Sequence, residues 1–583
     1  MKTPDANEVS SLVRTALGED PADVVITGGQ VVNVYSRELV AANVTIKGDR
    51  IAYVGSELPG LGPDTVVIEA SGLYLVPGFI EPHAHPVLMY NPFAYATALL
   101  PRGTTTVVGD SYWLMAHLGA AGLTRFIGGC DSCPLKFLWF VRPHSPSLQP
   151  LEEEICSLEG QRLLLSHPQV LGWGEATRWY DMVQQVPRVL TSLAYSLSRR
   201  KRLDGHTAGA SGLSLAALAA AGISGCHEAI NVPQALERLR LGMYVALRDS
   251  SIRHDLGELS RLITENGVDT SRLLLTTDGP TPATLAREGH TDTLLARVIE
   301  AGVDPLVAVQ MATINPATYW RIDDQVGSIS PGRYADILLV RDLRCPVPET
   351  VLASGEVVAR NGKLVGKLSE LDWEELGIGP LPPREISPGI FAIPAQGTAV
   401  EFPVIQVSAT VLTRRREMRL PVRDGVITAP EGVMKIACID SQGRQVANGF
   451  ITGLADGIDA LASSYHVGLG VLAVGKTSEA MARAVASVYR MGGGLALLRP
   501  GEPDFHLPLP LLGLMSPEPV EALAAGEEEF NRLMRACGYH YECPLYTIFF
   551  LSASDLPDLR ITPRGLYDNR QDKILRLARE ITT

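Results

Sequence analysis

His83 and His85 stand one residue apart, where the apolar run Leu73-Tyr74-Leu75-Val76 passes through Pro77-Gly78-Phe79-Ile80-Glu81-Pro82 into a loop. Side chains alternate along a strand, so both imidazoles fall on one face and can grip a cation. Downstream, Glu175, His206, His227 and Asp278 each stand near the end of a separate apolar run, as further candidate metal ligands. Imidazole nitrogens and carboxylate oxygens together suit divalent zinc, manganese or iron. His83 and His85 are expected to hold one ion and His206 and His227 a second, with Glu175 bridging through its two oxygens. A pair of ions about 4 Å apart lowers the pKa of a shared water toward neutrality. Asp278 is the candidate to take that water's proton and hand it to a leaving nitrogen, which gives hydrolysis of a C–N bond. Glu228, directly after His227, is a candidate for binding substrate or relaying a proton.

Each of these residues has an ordinary reading when taken singly. His206 can cap a turn, Glu175 can be a surface carboxylate, and Asp278 before Gly279-Pro280 resembles a turn aspartate. Their order within repeated strand-helix units is what makes a metal site of them. His117, His144, His167, His254, His290, His506 and His540 lack that placement and are expected to be structural or solvent-facing.

The elements that must position the site are legible from periodicity. Between residues 77 and 325, apolar strand-like runs at Thr104 to Gly109, Val170 to Gly174, Gly222 to Cys226, Met243 to Arg248 and Arg272 to Thr277 alternate with helical spacing at Pro92 to Arg102, Ser214 to Ala221, Pro233 to Leu241 and Thr291 to Ala301. Repeated β-α units over such a length predict an α/β fold built on a (β/α)8 barrel, in which chemistry gathers at the carboxyl ends of the strands. Residues 1–76 and 326–367 carry short β-branched runs and turns, and are expected to form one small β-sandwich from both sides of the barrel. Prolines 380, 382, 383, 388 and 394 mark 368–400 as a linker, and 401–583 reads as a C-terminal α/β domain. Within it, Gly492-Gly493-Gly494 has no following lysine or helix start, so a tight turn is expected there instead of a phosphate loop.

Bulk properties narrow the partners. The chain has 583 residues, 46% of them hydrophobic and 20% charged, and a net charge of −13. That charge disfavours nucleic acid and anionic membrane, both polyanions, and leaves a small-molecule substrate. No run of about twenty apolar residues and no apolar signal core near the start is present, so a cytoplasmic location is expected. Cys130 and Cys133 form the C-x-x-C of this chain, and without a second pair at zinc-finger spacing they read as reduced thiols.

At Pro77-Gly78-Phe79-Ile80-Glu81-Pro82-His83-Ala84-His85 and at Gly327-Ser328-Ile329-Ser330-Pro331-Gly332-Arg333-Tyr334-Ala335-Asp336-Ile337 the chain resembles the amidohydrolase superfamily. More narrowly it is similar to the bacterial adenine deaminase family over nearly its whole length. The shared segments include Leu100 to Val108, Asp204-Gly205-His206, Cys226-His227-Glu228, Glu288-Gly289-His290, Gly492 to Leu495, Gly513-Leu514-Met515 and Leu559 to Thr562. The resemblance implies His83, His85, Glu175, His206 and His227 as metal ligands, Asp278 as the catalytic aspartate, a manganese or iron pair, and conversion of adenine or a related aminopurine to hypoxanthine-type product and ammonia. Large enzymes of this kind associate, so a homodimer is expected. Opening of another cyclic amide or amidine, and a non-catalytic metal-bearing paralogue, stand as alternatives. The chain departs from the family at Pro86 to Met89, Ser111 to Trp113, Gly279 and Val467 to Gly470. These departures are expected to mark one polar cluster of the family, replaced here as a unit by Val87, Tyr112, Gly279 and Val467.

Overall fold

Strands from the middle of the chain close on one another in parallel, in sequence order. They are Phe79–Ala84, Thr104–Asp110, Lys136–Val141, Val170–Ala176, Arg202–Gly205, Gly225–Cys226, Tyr244–Ser250 and Leu273–Thr276. The computed structural model describes residue 1, residues 3–369 and residues 371–581. All of Thr104–Asp110 and Tyr244–Ser250 is buried, the pattern of strands covered on both faces by helices. The ring is completed where Ala84 bridges Asp278 in parallel, so its first and last strands meet at the candidate Asp278 and at the residue between His83 and His85. Two of these strands, Lys136–Val141 and Arg202–Gly205, and the helical stretch Tyr112–Gly129, kinked at Gly119 (φ 65°, ψ 175°), go beyond what periodicity predicts.

Helices at the two ends of the strand series begin on side-chain caps. Asn91 accepts from the amides of Phe93 and Ala94 with Pro92 at the first helical position, and Thr281 accepts from Thr284 N ahead of Pro282–Glu288. These caps fix where each strand-to-helix loop turns, and so where the strand-end residues point.

The chain ends flanking the barrel share one sheet. Ile337–Val340 pairs antiparallel with Tyr74–Pro77, which pairs with Val24–Asn33, and apolar side chains from both ends, among them Ile26, Val44, Leu75, Ile337 and Leu352, form a common core. Residues 368–400 include the short helix Pro388–Phe391, whose Ile390 and Phe391 are buried in the same cluster as helix Ser478–Arg490. A further sheet runs from Ala399–Val407 through Gly494–Leu498 to Phe505–Pro508. Gly493 sits at φ 123°, and a Cβ there would lie 2.3 Å from Gly513 Cα, so the glycine run is a turn packed tightly on neighbouring backbone. Cys130 and Cys133 are free, buried thiols.

The C-terminal residues are tied to the barrel mouth by backbone. Met515–Ser516 pairs in parallel with Met89–Tyr90, Asn91 Nδ2 donates to Ser516 O at 2.8 Å, and Ser554 N donates to Pro146 O at 3.0 Å. Ala283 N, in the first turn of the helix beyond Asp278, donates to Glu527 Oε2 at 2.8 Å. Burial pushes the Glu527 carboxyl up to about 7. With the folded value above the unfolded one, the folded protein keeps a proton that the unfolded chain has released, so this group's support is complete at low pH and is lost as pH rises through about 7. Glu527→Gln is therefore expected to match the parent's thermal midpoint at pH 5 and exceed it at pH 8, by an amount equivalent to about 3 kcal/mol at most. Equal midpoints at pH 8 would show that the carboxyl ionises there without penalty.

Candidate metal centre

Alternation along Phe79–Ala84 carries His83 inward and brings His85 beside it, with ring centroids 5.4 Å apart. His83 is fixed from behind: Nδ1 lies 3.1 Å from Asp204 Oδ2, and Asp204 Oδ1 accepts from Tyr319 OH at 2.7 Å. A carboxylate on one ring nitrogen sets the tautomer and leaves the other nitrogen's lone pair for a cation. That other atom, Nε2, is buried with no hydrogen-bond partner, and faces Glu175 Oε2 at 3.8 Å and Asp278 Oδ1 at 3.7 Å. His85 Nε2 lies 3.0 Å from Asp278 Oδ1 and 3.9 Å from Glu175 Oε2.

The other oxygen of Glu175 faces the second pair of imidazoles. His206 Nδ1 is in short contact with Oε1, His227 Nε2 is 3.4 Å from it, and the two ring nitrogens are 3.2 Å apart. His83, His85 and Glu175 can thus surround one ion, and Glu175, His206 and His227 another. The donor set fits a pair of divalent cations: an orphaned imidazole nitrogen and converging lone pairs have no better partner among the described residues. All six residues named as ligands by sequence come together, and Glu228 joins them, with Oε1 3.6 Å from His206 Nδ1 and 3.5 Å from His227 Nε2.

Three arginines complete the cluster. Arg142, just past Lys136–Val141, donates from Nε to Asp110 Oδ2 at 2.7 Å and from Nη2 to Glu175 Oε2 at 2.5 Å. Arg248 Nη1 lies 2.6 Å from Glu228 Oε1 and 2.7 Å from Asp278 Oδ2, and Arg253 Nη1 is 3.2 Å from Glu228 Oε2. Burial opposes ionisation of Glu228, but Arg248 and the neighbouring histidines hold it down at about 2. Asp278 is held well below the ordinary range: burial opposes this, and the His85 contact and Arg248 overcome it. Burial likewise disfavours charge on His85 and His206, yet Asp110 and Asp278 raise the first to about 10, and Glu228 and Glu175 raise the second to about 10.

Sequence reasoning missed Asp110, Arg142, Asp204 and Arg248 as members of the site. A charged residue directly after the apolar run Phe137 to Val141 is the signal that could have found Arg142. The expected unit of four replaced positions is corrected. Gly279 and Val467 line the cavity above the cluster, whereas Val87 belongs to the buried core and Tyr112 turns its hydroxyl to Ser145 at 2.6 Å. Gly279 has its own constraint, since a Cβ there would stand 3.0 Å from His85 Cδ2.

The cavity, about 170 Å³, has a floor of barrel residues and a wall from the C-terminal part of the chain, including Tyr465, Tyr546 and Phe549. Tyr546 OH donates to Gly279 O in a short hydrogen bond, which anchors this aromatic wall beside Asp278. The arrangement joins a polycarboxylate-imidazole floor to flat apolar sides, suited to a planar heterocycle.

Comparison with known proteins agrees with this geometry. The family model described as the adenine deaminase C-terminal domain matches residues 410–573, and that of the amidohydrolase family matches residues 191–363. An adenine deaminase of Moorella thermoacetica is 35% identical over 99% of this chain and 99% of its own. Adenine deaminases of Rubrobacter xylanophilus and Paracoccus denitrificans are 36% and 33% identical, covering 96% and 97% of this chain and 95% and 97% of theirs.

Proposed function

Because the chain belongs to the adenine deaminase family of amidohydrolases, we propose that it hydrolyses adenine to hypoxanthine and ammonia at the centre just described. The observation that carries this reading is the buried, unpartnered Nε2 of His83 facing Glu175 and Asp278. His83, His85, Asp278 and one oxygen of Glu175 would hold one ion, and His206, His227 and the other oxygen a second. Manganese or iron suits these ligands, and zinc is chemically admissible. When bound, such ions supply Lewis-acid activation of water near neutral pH.

The chain's own residues do the rest. Asp278, ionised and held by Arg248 Nη1 at 2.7 Å, takes a proton on its carboxylate and passes it to the amino nitrogen departing from C6. Glu228, flanked by Arg248 and Arg253 and beside His206 and His227, is an acceptor toward substrate or a partner in the proton relay. Arg142 keeps Glu175 oriented, and the aromatic wall excludes water from the face of the ring. The division of labour we assign is a barrel over 77–325 carrying the ligands, a supporting sheet from 1–76 and 326–367, a connecting stretch over 368–400 and a covering domain over 401–583.

The direct test is ammonia release and hypoxanthine formation from adenine by protein reconstituted with manganese or iron, alongside metal content per chain. Protein that carries ions yet leaves adenine intact, or that takes up none, removes the proposal. Loading should also release protons, because His85 and His206, both raised to about 10, must give up theirs to ligate. Apparent metal affinity is thus expected to fall by about tenfold per pH unit for each proton displaced as pH drops from 9 to 6. Calorimetric titration in buffers of different ionisation enthalpy reads the proton count, and a count of zero contradicts the ligand set.

No helix among the described residues is long and apolar enough to cross a membrane. We place the enzyme in the cytoplasm as a homodimer acting on a small molecule, without nucleic-acid or membrane partner. Light scattering that returns the mass of a single chain would remove the dimer.

A further inference from the structure

Four carboxylates line the cavity, and three of them are paired. Glu175 accepts from Arg142, Glu228 is flanked by Arg248 and Arg253, and Asp278 accepts from Arg248. The fourth, Asp555, has no ion pair and no hydrogen bond from another residue among the described residues, and its own backbone N–H is the donor it meets. It comes from the C-terminal wall, beside Phe550, Ala553 and Leu556.

Its position is built, not incidental. Ser554 donates from N to Pro146 O at 3.0 Å and accepts at its own carbonyl from Asn569 Nδ2 at 2.5 Å, while Leu556 O accepts from Arg560 Nε at 3.3 Å. The backbone on both sides of Asp555 is therefore fixed, with the carboxylate left facing the cavity. Burial pushes its carboxyl up from the ordinary range, with the pull of His206 and Arg142 across the cavity working the other way. A partly buried carboxylate with only its own backbone N–H as donor keeps accepting capacity that a ligand can fill.

An ionised carboxylate only accepts hydrogen bonds, so the ligand must bring an N–H or O–H. In adenine the exocyclic amino group at C6 has to lie at the metal-ligand floor for the reaction, and the remaining N–H belongs to the imidazole ring of the purine. The geometry points to Asp555 as a specificity-determining residue that accepts this ring N–H, selecting a free purine base over its ring-N-substituted derivatives. This assignment rests on the deaminase reading of the same cavity. Glu175, Glu228 and Asp278 stand in the floor among the histidines and their arginines, whereas Asp555 comes from the C-terminal wall.

The test compares metal-loaded wild type with Asp555→Ala and Asp555→Asn on adenine and 9-methyladenine, and measures the Kd of hypoxanthine by calorimetry on the same proteins. Asp555→Ala is expected to raise KM for adenine and Kd for hypoxanthine by about 10- to 100-fold, the range of a lost hydrogen bond to a charged group. Its kcat should change much less, and its preference for adenine over 9-methyladenine should fall toward unity. Asp555→Asn, whose amide oxygen still accepts, should recover part of the preference. A purely structural role would move both substrates alike, and an unmoved preference overturns the assignment while leaving the deaminase reading intact. Wild type that carries ions and yields no ammonia from adenine overturns the reading and the assignment with it.

Discussion

Asp278→Asn is expected to lower the rate of ammonia release from adenine by about 10²- to 10⁴-fold, the span of a lost general acid-base group. The change is conservative in shape. Asparagine can still accept from Arg248, which lies 2.7 Å from Asp278 Oδ2, and the parallel bridge from residue 278 to Ala84 uses backbone alone. What the amide cannot do is take up a proton near neutral pH and return it to the departing nitrogen. The loss should fall on kcat, with the pH profile losing the limb that reports the base. Since Asp278 is also a candidate ligand, metal content must be measured on the same sample. A variant that keeps its ions and turns over within about threefold of wild type would strip Asp278 of the role assigned to it.

The second large effect belongs to Glu175→Gln, and it is read in metal content and stability before activity. Glu175 Oε1 meets His206 and His227, while Oε2 faces His83 and His85 and accepts from Arg142 at 2.5 Å. One carboxylate therefore joins both halves of the ligand set and neutralises a buried arginine. Replacing it with an amide removes the shared anionic ligand and leaves Arg142 with Asp110 as its remaining ion pair. Stranding a buried charge costs about 3–5 kcal/mol when its partner is fully removed, and the retained Asp110 contact puts the expected loss at the lower end. The variant should retain at most one ion per chain, melt below the parent, and release no measurable ammonia. Two ions per chain with an unchanged melting midpoint would show that Glu175 does not bridge them.

The candidate ligands were legible because most sit at a strand terminus, where a polar residue interrupts an apolar run. His83 at the end of Phe79–Ala84, His85 just beyond it and Asp278 after Leu273–Thr276 stand out on that pattern alone. Arg202–Gly205 was not legible as a strand, since four residues of mixed polarity carry no period, although His206 directly after it was found through its neighbours. The residues that tune the ligands were hidden for a different reason. Asp110, Arg142 and Arg248 acquire meaning only from partners on other strands, and pairing across a barrel leaves no local spacing to detect. Tyr112 misled in the opposite direction. It begins the helix Tyr112–Gly129, and helical geometry turns its ring toward Ser145 and away from the cavity that its neighbour Trp113 lines. A departure in sequence beside a site is thus not always a departure within it: Leu88, Trp113, Gly279 and Val467 line the cavity, while Val87 and Tyr112 do not.

That the barrel supplies the whole ligand set while residues beyond 400 supply the wall has a bearing on biogenesis. Translation delivers these imidazoles and carboxylates before Tyr465, Tyr546 and Phe549, so the part of the chain that covers the strand ends is made after the part that carries them. Docking of that last segment narrows whatever path an ion would take to reach them.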